Sequence, residues 1–351
     1  MPLLAILLAT AIIQSPATNF KIEELAKGVY AVIRQDKPGL MVDANNLFIV
    51  NDTDVIVVDS NGSPYITREV VKALRRITKN PVSMVVNTHY HDDHIRGNSV
   101  YRDAFPNVEF VAGEFAKTYL PGDGAKNRAS FLKEAPGFLS YLRRQRLEKK
   151  SLLGGVASEE EMKMYDSDIS LADLVLKDGE KAETILPTRT VQNELSIKRG
   201  NREIRIMHLG NGHTAADLVV FLPNEKIVAT GDLVVWPVPL VGNPQSYITN
   251  WGPTLRKLVA LGATTYVPGH GTVLRDDAYL ANIAEMFEFI SAKAREAVAN
   301  HQTLATFRSK LDLKRFEKKL AGDSAVRQLL FTFYVQQPAI PAAFNEAGGK
   351  G

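Results

Sequence analysis

No cysteine occurs among the 351 residues, so disulfides, thiolate metal ligands and a cysteine nucleophile are all excluded. A metal bound by this chain has to sit on His, Asp, Glu or backbone oxygen. Tryptophan is nearly absent, at 2 residues, and histidine is scarce, at 7. Charge of one sign is missing too: 42 basic and 39 acidic residues are interspersed and leave a net +3, so no basic block asks for nucleic acid. The uncharged apolar stretch from Leu3 to Ile13 is shorter than the roughly 20 residues of a membrane-spanning helix. Followed by Ser15-Pro16-Ala17, it reads as a secretory signal over residues 1–17, without a basic residue ahead of it. A periplasmic or secreted protein with no membrane contact after signal removal is the expectation.

What is present is a composition normal for a globular protein, 45% hydrophobic, in a chain long enough for one large domain. "VYAVIR", "NNLFIV" and "VIVVDS" read as paired strands between residues 28 and 60. Residues 67–78 place Val70, Val71, Leu74 and Ile77 at helical spacing, and "VSMVV", 82–86, reads as a buried strand. Another strand at 108–112 continues an α/β rhythm. Residues 113–177 turn polar and helical, which predicts a helical insertion. Four further strands are expected over 189–232, then a helix at 252–261, a strand "TYVPGH" and a helical tail. The domain is drawn at 18–275 and the helical extension at 276–351.

Three of the seven histidines crowd into "THYHDDHIRGN", directly after the buried strand. His89 and His91 lie two apart, so at an extended strand end their side chains project to one side and can grip one ion. Asp93 and His94 follow where the chain turns into a helix expected near Ile95. Four such groups exceed what one open tetrahedral site takes, which is about three protein ligands plus water. Two metals are therefore expected, with further ligands at His213 in "LGNGHTAAD", Asp232 in "VATGDLV" and His270 in "VPGHG". Tyr90 and Asp92 read as spacers, Asp92 as a solvated loop residue, and His208 as structural.

With these motifs in order, the sequence resembles the metallo-β-lactamase fold superfamily, whose HxHxDH signature reads here as His89-Tyr90-His91-Asp92-Asp93-His94. The resemblance implies a four-layer αββα sandwich with two zinc ions at one edge, iron or manganese being the other metals it allows. It implies His89, His91 and His213 on one ion, Asp93, His94 and His270 on the other, and Asp232 between them. It places Asp59 behind the ligand loop as a hydrogen-bonding support, and gives Asp93 the catalytic task of orienting the attacking water.

Hydrolysis of an ester, lactone, thioester, amide or β-lactam bond in a small carbonyl substrate is the implied reaction. Asp232 stands where the cysteine-ligand β-lactamases have cysteine, so the chain looks closer to the thioesterase and lactonase branch. A second class implied by the resemblance is an iron-dependent redox enzyme such as a sulfur dioxygenase.

Overall fold

A computed structural model describes residues 18–179, 181–242 and 245–350. The signal expected at 1–17 lies outside the described residues. Seven strands pair in chain order in the first sheet: β1 (Phe20–Ala26), β2 (Val29–Arg34), β3 (Asn46–Val50), β4 (Val55–Val58), β5 (Val82–Val86), β6 (Glu109–Gly113) and β7 (Arg189–Val191). Pairing is antiparallel from β1 to β4 and parallel from β4 to β7. The second sheet runs β12-β11-β10-β9-β8, from β8 (Glu194–Arg199), β9 (Arg202–Met207), β10 (Val219–Leu222), β11 (Ile227–Val235) and β12 (Thr265–His270). Only its β11–β12 pair is parallel.

The period of two in these strands decides the layers. Val29, Ala31 and Ile33 of β2 and Leu47 and Ile49 of β3 meet Ile204, Ile206 and Val220 of the second sheet in one core between the sheets. Val32, Phe48 and Val57 point the opposite way, onto helices α1 (Pro64–Ile77) and α3 (Asn98–Ala104), with the single turn α2 (Asp92–Ile95) between these helices in sequence. On the outer face of the second sheet, Phe221 and Val228 pack against α7 (Ile248–Val259) and α8 (Ala278–Ala299). The result is the four-layer αββα sandwich. Helices α9 (Leu304–Lys310), α10 (Lys314–Leu320), α11 (Ala325–Leu330) and α12 (Gln337–Glu346) form a helical C-terminal region, whose Phe316, Phe331 and Phe344 join the same apolar cluster as α7 and α8.

Between β6 and β7 stand α4 (Glu114–Tyr119), a π-helical turn, α5 (Ala125–Glu148) and α6 (Glu159–Gly179), where the helical insertion was expected. Local chemistry moves several boundaries. Helix α1 starts three residues early because Ser63 caps it, its Oγ accepting from Tyr65 N at 3.1 Å, and Pro64 fills the first helical position. The run 189–200, expected as one strand, splits into β7 and β8, which belong to different sheets. Edge strand β1 was not foreseen; its inner positions are only half-buried, so its apolar pattern is weak.

Candidate metal centre

The expected ligands come from the strands and strand connections that meet at one edge of the sandwich, and Asp232, expected at a strand end, lies inside β11. Asp59 follows β4, the His89–His94 loop follows β5, His213 lies in the β9–β10 connection, Asp232 sits within β11 and His270 ends β12. The structure brings His89, His91, Asp93, His94, His213, Asp232 and His270 into one cluster. Three sets each have ligand-type atoms within 4.8 Å of one another: His89, His91 and His213; Asp93, His94 and His270; and His89, His94 and Asp232.

Asp232 sits between the two histidine groups. Its Oδ2 lies 3.5 Å from His213 Nε2 and 4.0 Å from His89 Nε2, while its Oδ1 lies 3.3 Å from both His94 Nε2 and His270 Nε2. Asp93 Oδ2 lies 3.1 Å from His270 Nε2 and 3.4 Å from His94 Nε2. A side chain on Gly269 would collide with the Asp232 carboxylate, so glycine is required there for the close approach of β12.

The outer nitrogens fix the inner ones. His213 Nδ1 donates to Leu240 O at 2.9 Å and His270 Nδ1 to Asp43 O at 3.0 Å. A carbonyl oxygen can only accept, so Nδ1 carries the hydrogen and each neutral ring turns an Nε2 lone pair inward. His94 Nδ1 bonds Asp59 Oδ2 at 2.8 Å, and its Nε2 then faces that of His270 at 3.3 Å. His91 instead offers Nδ1, 2.9 Å from His213 Nε2. Lone pairs aimed at one another require a proton or a cation between them.

Two buried atoms of the cluster, His89 Nε2 and Asp232 Oδ1, have no hydrogen-bond partner. Such atoms cost roughly 1–3 kcal/mol each when left unsatisfied. An all-nitrogen-and-oxygen donor set with orphaned inward atoms fits divalent cations that take imidazole and carboxylate.

Electrostatics divide the cluster. Burial, reinforced by neighbouring rings, pulls His213 down to about 3 and His89 well below the usual histidine range. Burial acts in the same direction on His270, but Asp232 and Asp93 overcome it and push His270 up to about 10. Both carboxyls are themselves held well below their usual range, against burial, by His94 and His270. The carboxylates thus favour positive charge on the Asp93 side of the cluster, whether from a proton or from a cation that replaces it.

Asp59 stands where a support was expected. It accepts from Thr88 N and Thr88 Oγ1, both at 2.8 Å, besides binding His94. Its backbone φ is 60°, a left-handed value that costs a non-glycine residue roughly 1 kcal/mol. Those three hydrogen bonds hold it there.

The spacers do more than separate ligands. Tyr90 is buried, its ring centroid 4.0 Å from that of Tyr119 of α4. Asp92, expected to be solvated, instead takes Arg96 on one oxygen and Arg128 of α5 on the other, the latter at 2.8 Å. Inward residues of the hexapeptide therefore form the cluster while Tyr90 and Asp92 fasten the insertion over it. His208 lies outside the cluster, its Nδ1 bonded to Asp217 O, and His301 is exposed.

A cavity of about 530 Å³ opens on His91 and Asp93 beneath the insertion. Part of its wall, Leu40 to Val42, is clamped by buried Asp168 of α6, which accepts from Leu40 N at 2.9 Å and Met41 N at 3.2 Å. Asp168 was missed in the sequence. Its signal was an acidic residue in helical register with buried Tyr165 and Ala172.

The family model of the metallo-beta-lactamase superfamily matches residues 40–270, about two thirds of the chain. The chain belongs to this superfamily. Among curated superfamily relatives, a linear primary-alkylsulfatase of Pseudomonas sp. (strain ATCC 19151) is 26% identical over 226 residues, 62% of this chain. The match spans only 39% of the alkylsulfatase's length. A metallo-beta-lactamase type 2 of Bacillus cereus is 22% identical over 267 residues, 75% of this chain and 80% of the relative. Among solved structures, a metallo-beta-lactamase from Pontibacter korlensis superposes with a TM-score of 0.53 at 17% identity, covering 77% of this chain and 99% of that one. At that identity the likeness speaks for the fold alone.

Proposed function

We propose that this chain is an exported dinuclear metallo-hydrolase that cleaves an ester, lactone, thioester or amide bond of a small molecule. The observation that carries the reading is Asp232, whose two buried oxygens face opposite histidine groups. In it, His89, His91 and His213 would hold one ion, Asp93, His94 and His270 the other, and Asp232 would contact both. When bound, a pair of zinc ions supplies Lewis acidity for the scissile carbonyl and lowers the pKa of water toward neutrality.

The chain's own groups do the rest. Asp93, half-buried and facing the cavity, orients the attacking water and takes its proton. Asp93 Oδ2 lies 3.4 and 3.1 Å from the Nε2 atoms of His94 and His270, so these three groups would share one ion, and sharing it would keep the carboxylate aimed at one place. Asp59 keeps the His94 ring from turning. Tyr90 and Asp92 seat the insertion that shields the reaction from bulk solvent. Export rests on the apolar stretch Leu3 to Ile13 with its small residues after it.

The test is metal analysis of protein purified without added metal, with a panel of chromogenic esters, lactones, thioesters, β-lactams and alkyl sulfates. About two zinc ions per chain and turnover of a carbonyl substrate are expected. One iron per chain would overturn the reading, and so would a zinc-loaded sample that cleaves no member of the panel.

A further inference from the structure

The cavity over His91 and Asp93 has a mixed wall. Asn127, Arg96, Arg128 and Gln245 contribute polar groups to it, and Leu40, Met41, Leu120, Phe131, Leu132 and Val175 contribute apolar ones. A second hollow of about 280 Å³ shares Met41, Phe131 and Glu134 with the first and ends among Phe138, Leu139, Ala172 and Leu176. Glu134 is the one charged side chain in that second lining, and it is exposed.

The two hollows together make an elongated apolar groove between α5 and α6. Phe131, Ala135, Phe138 and Leu139 lie at i, i+4, i+7 and i+8 on α5, so the apolar stripe runs for about 12 Å along the helix. Phe131 and Phe138 are 38% and 39% exposed, which leaves two phenyl rings facing water on a helix of mostly polar surface. A chain lying in the groove would cover them.

We infer that the substrate is an amphiphile whose scissile group sits at the histidine cluster and whose unbranched apolar chain runs between α5 and Met41 toward Phe138. The inference rests on the hydrolase reading for the identity of the reacting end. Its own support is separate: the second hollow shares Met41, Phe131 and Glu134 with the cavity that contains His91 and Asp93, its lining is apolar apart from Glu134, and the apolar stripe of α5 along it spans about 12 Å. Burial of each methylene stabilises by about 0.8 kcal/mol, which is a three- to fourfold gain per carbon.

The experiment is calorimetric titration of the zinc-loaded protein with n-alkyl hydroxamates from butano- to dodecanohydroxamate, below their micelle-forming concentrations. The metal-directed head is constant and no cleavage is needed. Kd should fall about three- to fourfold per added methylene until the groove is full. A Kd independent of chain length, or no binding by any member, overturns the inference.

Ala172→Phe, which fills the second hollow, should weaken the dodecyl member at least tenfold relative to the butyl member. Phe138→Glu, at a half-exposed position where folding is least at risk, should move the ratio the same way by placing a carboxylate at the groove's lip. An unchanged ratio in both places the chain elsewhere and overturns the route. A parallel series of p-nitrophenyl esters separates the two readings: cleavage without chain-length preference sinks this inference alone. Chain-dependent hydroxamate binding with no cleavage across the panel sinks the hydrolase reading alone.

Discussion

At the sandwich edge, seven side chains from both sheets converge, five of them buried, with His94, His213 and His270 each tethered at its outer nitrogen. Across the cavity, α5 and α6 carry ion pairs between them at the surface, and the insertion meets the ligand loop through Arg128 of α5 on Asp92 and Tyr119 of α4 on Tyr90. The first region is over-determined: three of its five rings are fixed at the outer nitrogen by a backbone carbonyl or by Asp59, which Thr88 holds in turn. The second is a lid-like layer whose geometry depends on a few contacts. The reaction type belongs to the first and the shape of what enters belongs to the second.

The largest expected effect falls on the first region. Asp93→Ala should lower kcat/KM by about 10³-fold on the best substrate of the panel, because the carboxylate that orients water and takes its proton is lost. Metal content measured alongside shows whether an ion leaves with it. Activity within tenfold of the parent would mean that another group does this work and that the two regions share the chemistry.

A change of the next size tests the clamp that joins the insertion to the cavity wall. Burial holds the Asp168 carboxyl up to about 7, well above its ordinary 3.8, although Leu40 N and Met41 N act against the rise. The folded chain therefore keeps a proton that the unfolded chain has released, and this group's contribution to stability is full below about pH 4 and is lost as pH rises through 7. Asp168→Asn stays neutral throughout, so the pH dependence of the unfolding free energy from denaturant titrations should flatten across that window, by up to about 4 kcal/mol relative to the parent. An unchanged slope would mean that the carboxyl is ionised in the folded chain at pH 5.

Smaller again is the effect of the residue behind His94. Asp59→Ala frees the imidazole and leaves Thr88 N without its partner, and metal affinity should fall between about 10- and 100-fold by competition with a chromogenic chelator. Affinity equal to the parent's would show that packing alone holds the ring.

The same contrast explains what the sequence disclosed. The cluster was legible because its geometry follows from local rules: His89 and His91 at strand spacing, and His213, Asp232 and His270 beside small residues at expected strand ends. The sheets were legible from alternation and buried runs, as in "VSMVV", whose expected bounds are those of β5. The split of 189–200 was not, because nothing local in "RTVQNELSIKRG" says which sheet each half joins. Asp92 and Asp168 were missed for a related reason. Their partners, Arg128 and the backbone of Leu40 and Met41, lie 36 and about 128 residues away, so their roles exist only after the insertion has folded back.

The smallest effect is expected where the insertion shows its most conspicuous ion pair. Arg143 of α5 places Nη2 at 2.5 and 2.7 Å from the two oxygens of Asp173 on α6, yet both side chains are about half exposed. Water and salt screen such a pair, and holding two long side chains in one arrangement costs entropy, so Arg143→Ala should change stability by no more than about 1 kcal/mol. The adjacent Leu142 is fully buried in the apolar cluster that includes Met164 and Tyr165 of α6, and that contact is what holds the two helices together. Thermal unfolding in low and high salt decides it: a loss above about 2 kcal/mol that salt abolishes would make α5–α6 an electrostatic assembly, and the two regions would then differ in strength of charge pairing and not in depth of burial.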